Sequence, residues 1–104
     1  MDDLQRVTGP TVDVLKVLVD AIRPVWGLKV ISESGRSPGT VYPVLERLEA
    51  AGWLSSRWET DESRPGPRRR YYELTADGAL AAARTIGTFG ARSERASSRP
   101  AVAR

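Results

Sequence analysis

An amphipathic segment at residues 37–51 sets the strongest limit on how this chain can fold. Its apolar members, Val41, Val44, Leu45 and Leu48, recur at the i, i+3, i+4 and i+7 spacing of one helix face. Ser37 is a typical N-cap, and Pro38 suits the first helical turn, where a missing N–H costs no hydrogen bond. Gly52 follows the last periodic residues as a helix terminator. The segment is predicted to be a helix with one face on a core.

Two shorter helices are predicted before this segment. Thr11 is a candidate N-cap for the first, which ends before Pro24. The apolar residues predicted to face its core side are Val12, Leu15, Leu18, Val19 and Ile22. The second helix is predicted over residues 25–34, with Trp26 and Val30 inward and Gly35 as the left-handed residue after its end.

A β-hairpin and a last helix are predicted after residue 52. Residues 53–60 and 68–74 have the composition and alternation of strands, and the segment 61–67 between them is too rich in proline and glycine for a helix or a central strand. Thr75 then caps a helix. Its apolar residues at helical spacing are Leu80, Ala83, Ile86 and Phe89. Residues 91–104, mostly Arg, Ser, Ala and Pro, are predicted to be a disordered basic tail.

The order helix-helix-helix-strand-strand-helix predicts a mainly α fold with a small β-hairpin, the winged helix-turn-helix, over residues 1–75. Residues 37–51 take the place of its recognition helix. The hairpin, residues 53–74, takes the place of its wing.

The composition argues against catalysis and against a membrane location. The 104 residues contain no cysteine and no histidine, which excludes thiolate metal sites and triads built on these residues. We therefore predict no enzyme activity, no cofactor and no metal. No apolar run approaches the roughly 20 residues that span a bilayer, and the start Met1-Asp2-Asp3 is unlike a signal peptide. A cytoplasmic protein without membrane contact is expected.

The exposed start of the third predicted helix carries small or flat side chains. Pro43 lies inside the helix, and its ring would press on residue 39, where Gly39 has no side chain. Such a slim helix start can approach a phosphate backbone closely, with its amides and positive end toward the anion. The candidate DNA contacts are Ser37, Pro38, Gly39, Thr40 and Tyr42. The alternative is that the first three are only a cap and that Tyr42 is a half-exposed surface aromatic.

The predicted wing carries a cluster of arginines at its tip and return strand. These are Arg64, Arg68, Arg69 and Arg70. A basic loop beside a groove-facing helix can follow phosphates or enter the minor groove. The alternative is a solvated loop that discourages edge aggregation, and Glu59, Asp61 and Glu62 offset part of its charge. The net charge of +3 does not decide between them, because residues 91–104 alone supply it.

Three strings of the sequence together resemble the PadR family of transcriptional regulators. They are Ser-Pro-Gly-Thr-Val-Tyr-Pro-Val-Leu from residue 37, Leu-Glu-Ala-Ala-Gly-Trp-Leu from residue 48 and Arg-Arg-Arg-Tyr-Tyr-Glu-Leu-Thr from residue 68. The resemblance covers residues 11–86. It implies a winged-helix homodimer, usually a repressor, on an inverted-repeat operator of double-stranded DNA. It also implies that the DNA contacts are the candidates named above, with the wing arginines as helpers, and that residues 76–90 form a dimerisation helix.

Two further expectations follow from the resemblance. The family often has Tyr-Gly-Tyr-Glu where this chain has Trp26-Gly27-Leu28-Lys29, so Leu28 cannot donate a tyrosine's hydrogen bond. Some short members bind flat aromatic or hydrophobic effectors between the subunits and release DNA. The candidate effector residues here are Trp26, Trp53, Trp58 and Phe89, with a simple core role as the alternative. The rival function is a winged helix that binds protein rather than DNA. The feature that would favour it, an acidic or hydrophobic face of the third helix, is only partly present, as Glu46 and Glu49.

Overall fold

The computed structural model describes the backbone of residues 1–98 and the side chains of residues 1–92. The elements in that part of the chain are α1 (Gly9–Asp20), β1 (Val25–Trp26), α2 (Gly27–Ser34), α3 (Pro38–Ala50), β2 (Leu54–Trp58), β3 (Arg70–Leu74) and α4 (Ala76–Ser98). Three helices, a hairpin and a last helix follow one another as predicted. The winged helix-turn-helix prediction is therefore confirmed.

The apolar stripe of α3 lies at the centre of the core. Its four residues are all at most 2% exposed. They pack with Val14 and Leu15 of α1, Val30 of α2, and Trp53 and Tyr72 of the hairpin region. The opposite side of α3 is left exposed, because one helix face supplies all of its core contacts.

The sheet contains a strand that the sequence analysis missed. β1 pairs with β3, which also pairs with β2, so the antiparallel order is β1-β3-β2. Val25 lies opposite Tyr72 and Trp26 opposite Tyr71. The predicted helix over residues 25–34 is therefore wrong for its first two residues. A strand of two residues is too short to show alternation, so only its partner reveals it.

The first helix begins and ends earlier than predicted. Thr8, not Thr11, is the N-cap, and its hydroxyl accepts the N–H of Thr11 at 3.4 Å. Because α1 ends at Asp20, Ile22 lies beyond it and is 92% exposed, and Val19 is 40% exposed. The end of α2 is as predicted. Gly35 has φ of 72°, and its N–H donates to the carbonyl of Ile31.

The last helix buries only part of the apolar set predicted for it. Ile86 packs partly buried against the core, but Leu80 and Ala83 are exposed, and Ala81 and Ala82 are buried instead. A Cβ on Gly78 would lie 2.1 Å from the carbonyl oxygen of Trp53, so the small residues let α4 approach the hairpin closely.

The two ends of this helix give opposite outcomes. Thr75 caps it as predicted, with its hydroxyl accepting the N–H of Gly78 at 3.0 Å. The helix continues to Ser98, so the predicted disorder is wrong for residues 91–98. Residues 99–104 of the predicted tail lie outside the described residues.

Candidate nucleic-acid interface

The start of α3, residues 37–43, forms an exposed ridge. Ser37 has extended backbone angles and makes no side-chain cap bond; its hydroxyl donates to Thr40 Oγ1 at 3.3 Å. A Cβ built on Gly39 would meet no described atom within 4 Å. The N–H groups of Thr40 and Val41 donate to the carbonyl of Ser37. Those two amides are therefore engaged, and the ridge offers a close approach more than a set of free donors.

The side chain of Tyr42 reaches from this ridge to α2. Its side chain is 39% exposed, and its phenol end covers Gly27, the first residue of α2. Pro43 follows it without breaking the helix, which runs from Pro38 to Ala50. Gly27 is not among the site residues predicted from the sequence. A glycine at a helix start gives no local signal, because the reason for it is the ring of a residue 15 positions away.

Arg64 is committed to the wing loop, residues 59–69, rather than directed outward. Its Nε donates to both carboxylate oxygens of Glu59 at 2.8 Å, and its terminal nitrogens donate to the carbonyls of Pro65 and Pro67. This guanidinium holds the pKa of Glu59 below its ordinary value. Hydrogen bonds from the hydroxyl and the N–H of Ser63 likewise lower the pKa of Asp61. The loop is thus folded around Arg64.

Arg69 and Arg70 are held by aromatic rings. The guanidinium carbon of Arg69 lies 3.9 Å from the ring centre of Trp26, and that of Arg70 lies 5.0 Å from that of Trp58. Arg70 also donates to Ser56 Oγ at 2.7 Å. That hydroxyl in turn donates to a carboxylate oxygen of Glu49, which links the wing to α3.

Arg68 is the arginine of the predicted wing cluster that is most available to a partner. Its side chain is 63% exposed, and its nearest carboxylate, that of Glu62, lies 4.0 Å away. An ion pair at that distance between exposed groups holds the side chain only weakly. The structure therefore divides the four predicted arginines into one that organises the loop, two that stack on tryptophans and one that projects from the surface.

The structure also divides the four predicted effector residues. Trp53 and Phe89 line one groove of about 550 Å³, together with Leu4 and Arg84. Trp26 and Trp58 lie elsewhere, against the arginines of the wing. Within one chain the four residues thus lie in two separate places, and the effector site between subunits stays a prediction.

One side of this groove is formed by the N-terminal residues 1–7. Asp2 donates its N–H to the carbonyl of Ala51 at 2.8 Å. Its own carbonyl accepts the indole N–H of Trp53 at 2.7 Å. This contact fixes the N-terminal segment beside α4. In the described part of the chain, no helix has the length and apolar character needed to cross a membrane.

Comparison with solved structures gives the same architecture. The PcaV transcriptional regulator from Streptomyces coelicolor, solved with its natural ligand, is 27% identical, with a TM-score of 0.72 over 95% of this chain and 66% of that one. A PadR-like transcription factor from Bacteroides fragilis is 24% identical, with a TM-score of 0.63 over 84% and 85%. ZitR from Lactococcus lactis, solved in complex with DNA, is 19% identical, with a TM-score of 0.58 over 88% and 57%.

None of the curated proteins matches this chain. A family model does, namely that of the transcriptional regulator PadR-like family, and it covers residues 14–84. That range includes α2, α3, the whole hairpin and the start of α4. The match confirms the resemblance seen in the three sequence strings, and it confirms that the protein is a regulator rather than an enzyme. This chain belongs to the PadR-like family of transcriptional regulators.

Proposed function

We propose that this protein is a dimeric repressor that lays the start of α3 into the major groove of an inverted-repeat operator. The observation that carries the proposal is the exposed ridge at Gly39. A Cβ built on this glycine would have no described atom within 4 Å, its own helix backbone and chain neighbours aside. A backbone so uncovered can approach phosphates or base edges closely. Tyr42 and Arg69 border the same dipeptide, Trp26-Gly27, so the ridge and the wing are adjacent.

The roles within this interface follow from charge and exposure. Ser37, Thr40 and Tyr42 supply hydroxyl groups that can bond phosphates or base edges. Arg68 supplies a sequence-independent phosphate contact from the wing loop. Support from outside the chain comes from ZitR, which shares the fold and was solved in complex with DNA.

The dimer is proposed to form through the exposed side of α4 and the end of α1. Leu80 is 63% exposed and Ile22 is 92% exposed, and Val19 adds to the same set of uncovered aliphatic side chains. Burying them against a second copy would remove apolar area from water at about 25 cal/mol per Å². Leu80→Glu should therefore produce monomers in sedimentation experiments, whereas Lys16→Glu on the polar side of α1 should leave dimers intact.

Relief of repression is proposed to use the groove beside Trp53 and Phe89. Trp53 and Phe89 in its lining suit a flat apolar effector, and Arg84, also in the lining, suits an effector with an acidic group. The related PcaV regulator was solved with its natural ligand. Because α4 supplies residues both to this groove and to the proposed dimer contact, we propose that occupancy changes the spacing of the two α3 helices.

Fluorescence anisotropy with DNA from upstream of the protein's own coding region tests the proposal. Operator-containing DNA should bind much more tightly than scrambled DNA, and the affinity should fall as salt is raised between two concentrations. Equal affinity for both DNAs would contradict sequence-specific repression. No binding to either at low salt would favour the rival function, a winged helix that binds protein.

A further inference from the structure

Gly27 is buried although it has no side chain, because the phenol ring of Tyr42 covers it. A Cβ built on Gly27 would lie 2.7 Å from Cε1 of Tyr42, 2.7 Å from its hydroxyl oxygen and 3.0 Å from Cζ. Non-bonded carbon atoms reach their best separation only at about 3.5–4.0 Å. A side chain at position 27 therefore cannot coexist with Tyr42 in its present position.

The backbone of Gly27 gives no other reason for glycine. In the part of the chain that the structure describes, the glycines with positive φ are Gly35, Gly52 and Gly66. Gly27 is not among them, so L-amino acids can adopt its backbone angles. The close approach of Tyr42 is what a larger residue would disturb.

The ring, rather than the backbone, would yield to an added side chain. Val25 and Trp26 are paired with β3, and Gly27 itself begins α2, so this backbone is fixed on both sides. The indole of Trp26 is also held under the guanidinium of Arg69. Tyr42 is 39% exposed, and its contact with Gly27 is made by the far end of its side chain, which can rotate toward solvent.

We propose that Gly27 is a positioning residue for Tyr42. Its missing side chain lets the phenol rest against α2 and so fixes where the Tyr42 hydroxyl points. This inference rests on the proposed DNA-binding role of the α3 start. Hydrogen bonds weaken steeply with misalignment, so a ring displaced from Gly27 loses its DNA contact while the fold is retained.

A measurement without DNA tests the steric part of the proposal. The chain has three tyrosines, so 3-fluorotyrosine labelling gives three fluorine resonances, and Tyr42→Phe identifies that of Tyr42. Gly27→Ala should move the Tyr42 resonance more than those of Tyr71 and Tyr72, and the thermal midpoint should stay close to that of the wild type. An unmoved Tyr42 resonance would overturn the proposal.

A double-mutant cycle then tests whether Gly27 acts through Tyr42. Operator affinity is measured at about 50 mM salt, where weakened variants still bind, for the wild type, Gly27→Ala, Tyr42→Ala and the double variant. We expect Gly27→Ala and Tyr42→Ala each to weaken binding about tenfold or more, the size of a lost base contact. In the Tyr42→Ala background, adding Gly27→Ala should have almost no further effect, because the ring is gone.

The other outcomes separate this inference from the proposed function. If Gly27→Ala weakens binding equally with and without the Tyr42 ring, Gly27 acts by another route and the inference is wrong. If Tyr42→Ala weakens binding but Gly27→Ala does not, the inference is wrong and the role of Tyr42 stands. If Tyr42→Ala has no effect, the proposed DNA contact of Tyr42 fails, and the positioning role fails with it.

Discussion

The start of α3 and the wing loop would face the same duplex, but they are built in opposite ways. Residues 37–43 contain no charged side chain, and a Cβ built on the exposed Gly39 would face open space. Residues 59–69 contain three acids and three arginines and are neutral in sum. Most of that charge is used within the loop, as in the contact of Arg64 with Glu59.

The number of arginines in the wing is therefore a poor guide to where the wing can attract phosphate. A guanidinium that already bonds a carboxylate and two carbonyls has little left to offer a second anion. The ridge, by contrast, offers shape and hydroxyl groups. In the proposed interface, α3 would therefore supply the shape, and Arg68 would supply the least engaged charge of the wing cluster.

The largest expected effect comes from placing a charge on the ridge. Gly39→Glu should weaken operator binding on the order of 100-fold or more, because a carboxylate would face phosphates at close range. Stability should change little, since the Cβ has open space and an acid suits a first helical turn. Anisotropy and thermal unfolding measure the two effects. Lys16→Glu in α1 is the control: it changes net charge by two units and should matter far less.

Comparing Arg68→Ala with Arg64→Ala sharpens the contrast within the wing. Arg68→Ala should weaken binding to all sequences and lower the slope of log affinity against log salt by about 0.9, the value for one phosphate. Arg64→Ala should instead loosen the loop and make it more sensitive to proteases in the absence of DNA. Equal changes in the salt slope for the two variants would contradict the division of roles.

Removing the carboxylate that pairs with Arg64 should change operator affinity less than removing either arginine. Glu59→Gln removes the charge that holds Arg64 and keeps the size of the side chain. Arg64 is then free to reach phosphate, so operator affinity should rise slightly and the salt slope should steepen. Isothermal titration at two salt concentrations measures both quantities. Lower affinity with an unchanged slope would show that loop order matters more than free charge.

The smallest expected effect is a pH dependence of loop order. Arg64 lowers the pKa of Glu59, so the contact stabilises the folded loop above the ordinary value of 4.5 and is lost as the pH falls below it, through the lowered pKa. Amide exchange of Ser63 and Gly66 should therefore rise on acidification. The pKa of Asp61 is lowered too, so only the part of the rise that is absent in Glu59→Gln belongs to Glu59.

The elements that sequence predicted well are those specified by local pattern. The α3 stripe, the αL residue Gly35 and the Thr75 cap each depend on neighbours within a few positions. Two of the failures depend on distant partners. β1 exists only because β3 lies beside it, and the close approach of α4 at Gly78 is to the carbonyl of Trp53, 25 positions earlier in the chain. The misplaced cap of α1 and the helix over residues 91–98 are local failures.

The features of the candidate site likewise differ in whether the sequence could predict them. The ridge of α3 could be predicted, because its exposed face is the complement of its apolar stripe. The engagement of Arg64 could not, since no spacing rule says which of several acids a loop arginine will choose. Neither could the separation of Trp53 and Phe89 from the other two tryptophans, because composition does not tell which surface a ring occupies.

The close contact at Gly78 has a geometric consequence for any pair of these chains. About 30 Å of helix follows this point, at 1.5 Å per residue up to Ser98. A methyl group added at position 78 would press against the Trp53 carbonyl and tilt the rest of the helix about this point. A tilt of about 10° there displaces the far end by about 5 Å, more than the rise of one base pair of DNA. In the proposed dimer, the glycine at position 78 would therefore influence the separation of the two α3 helices.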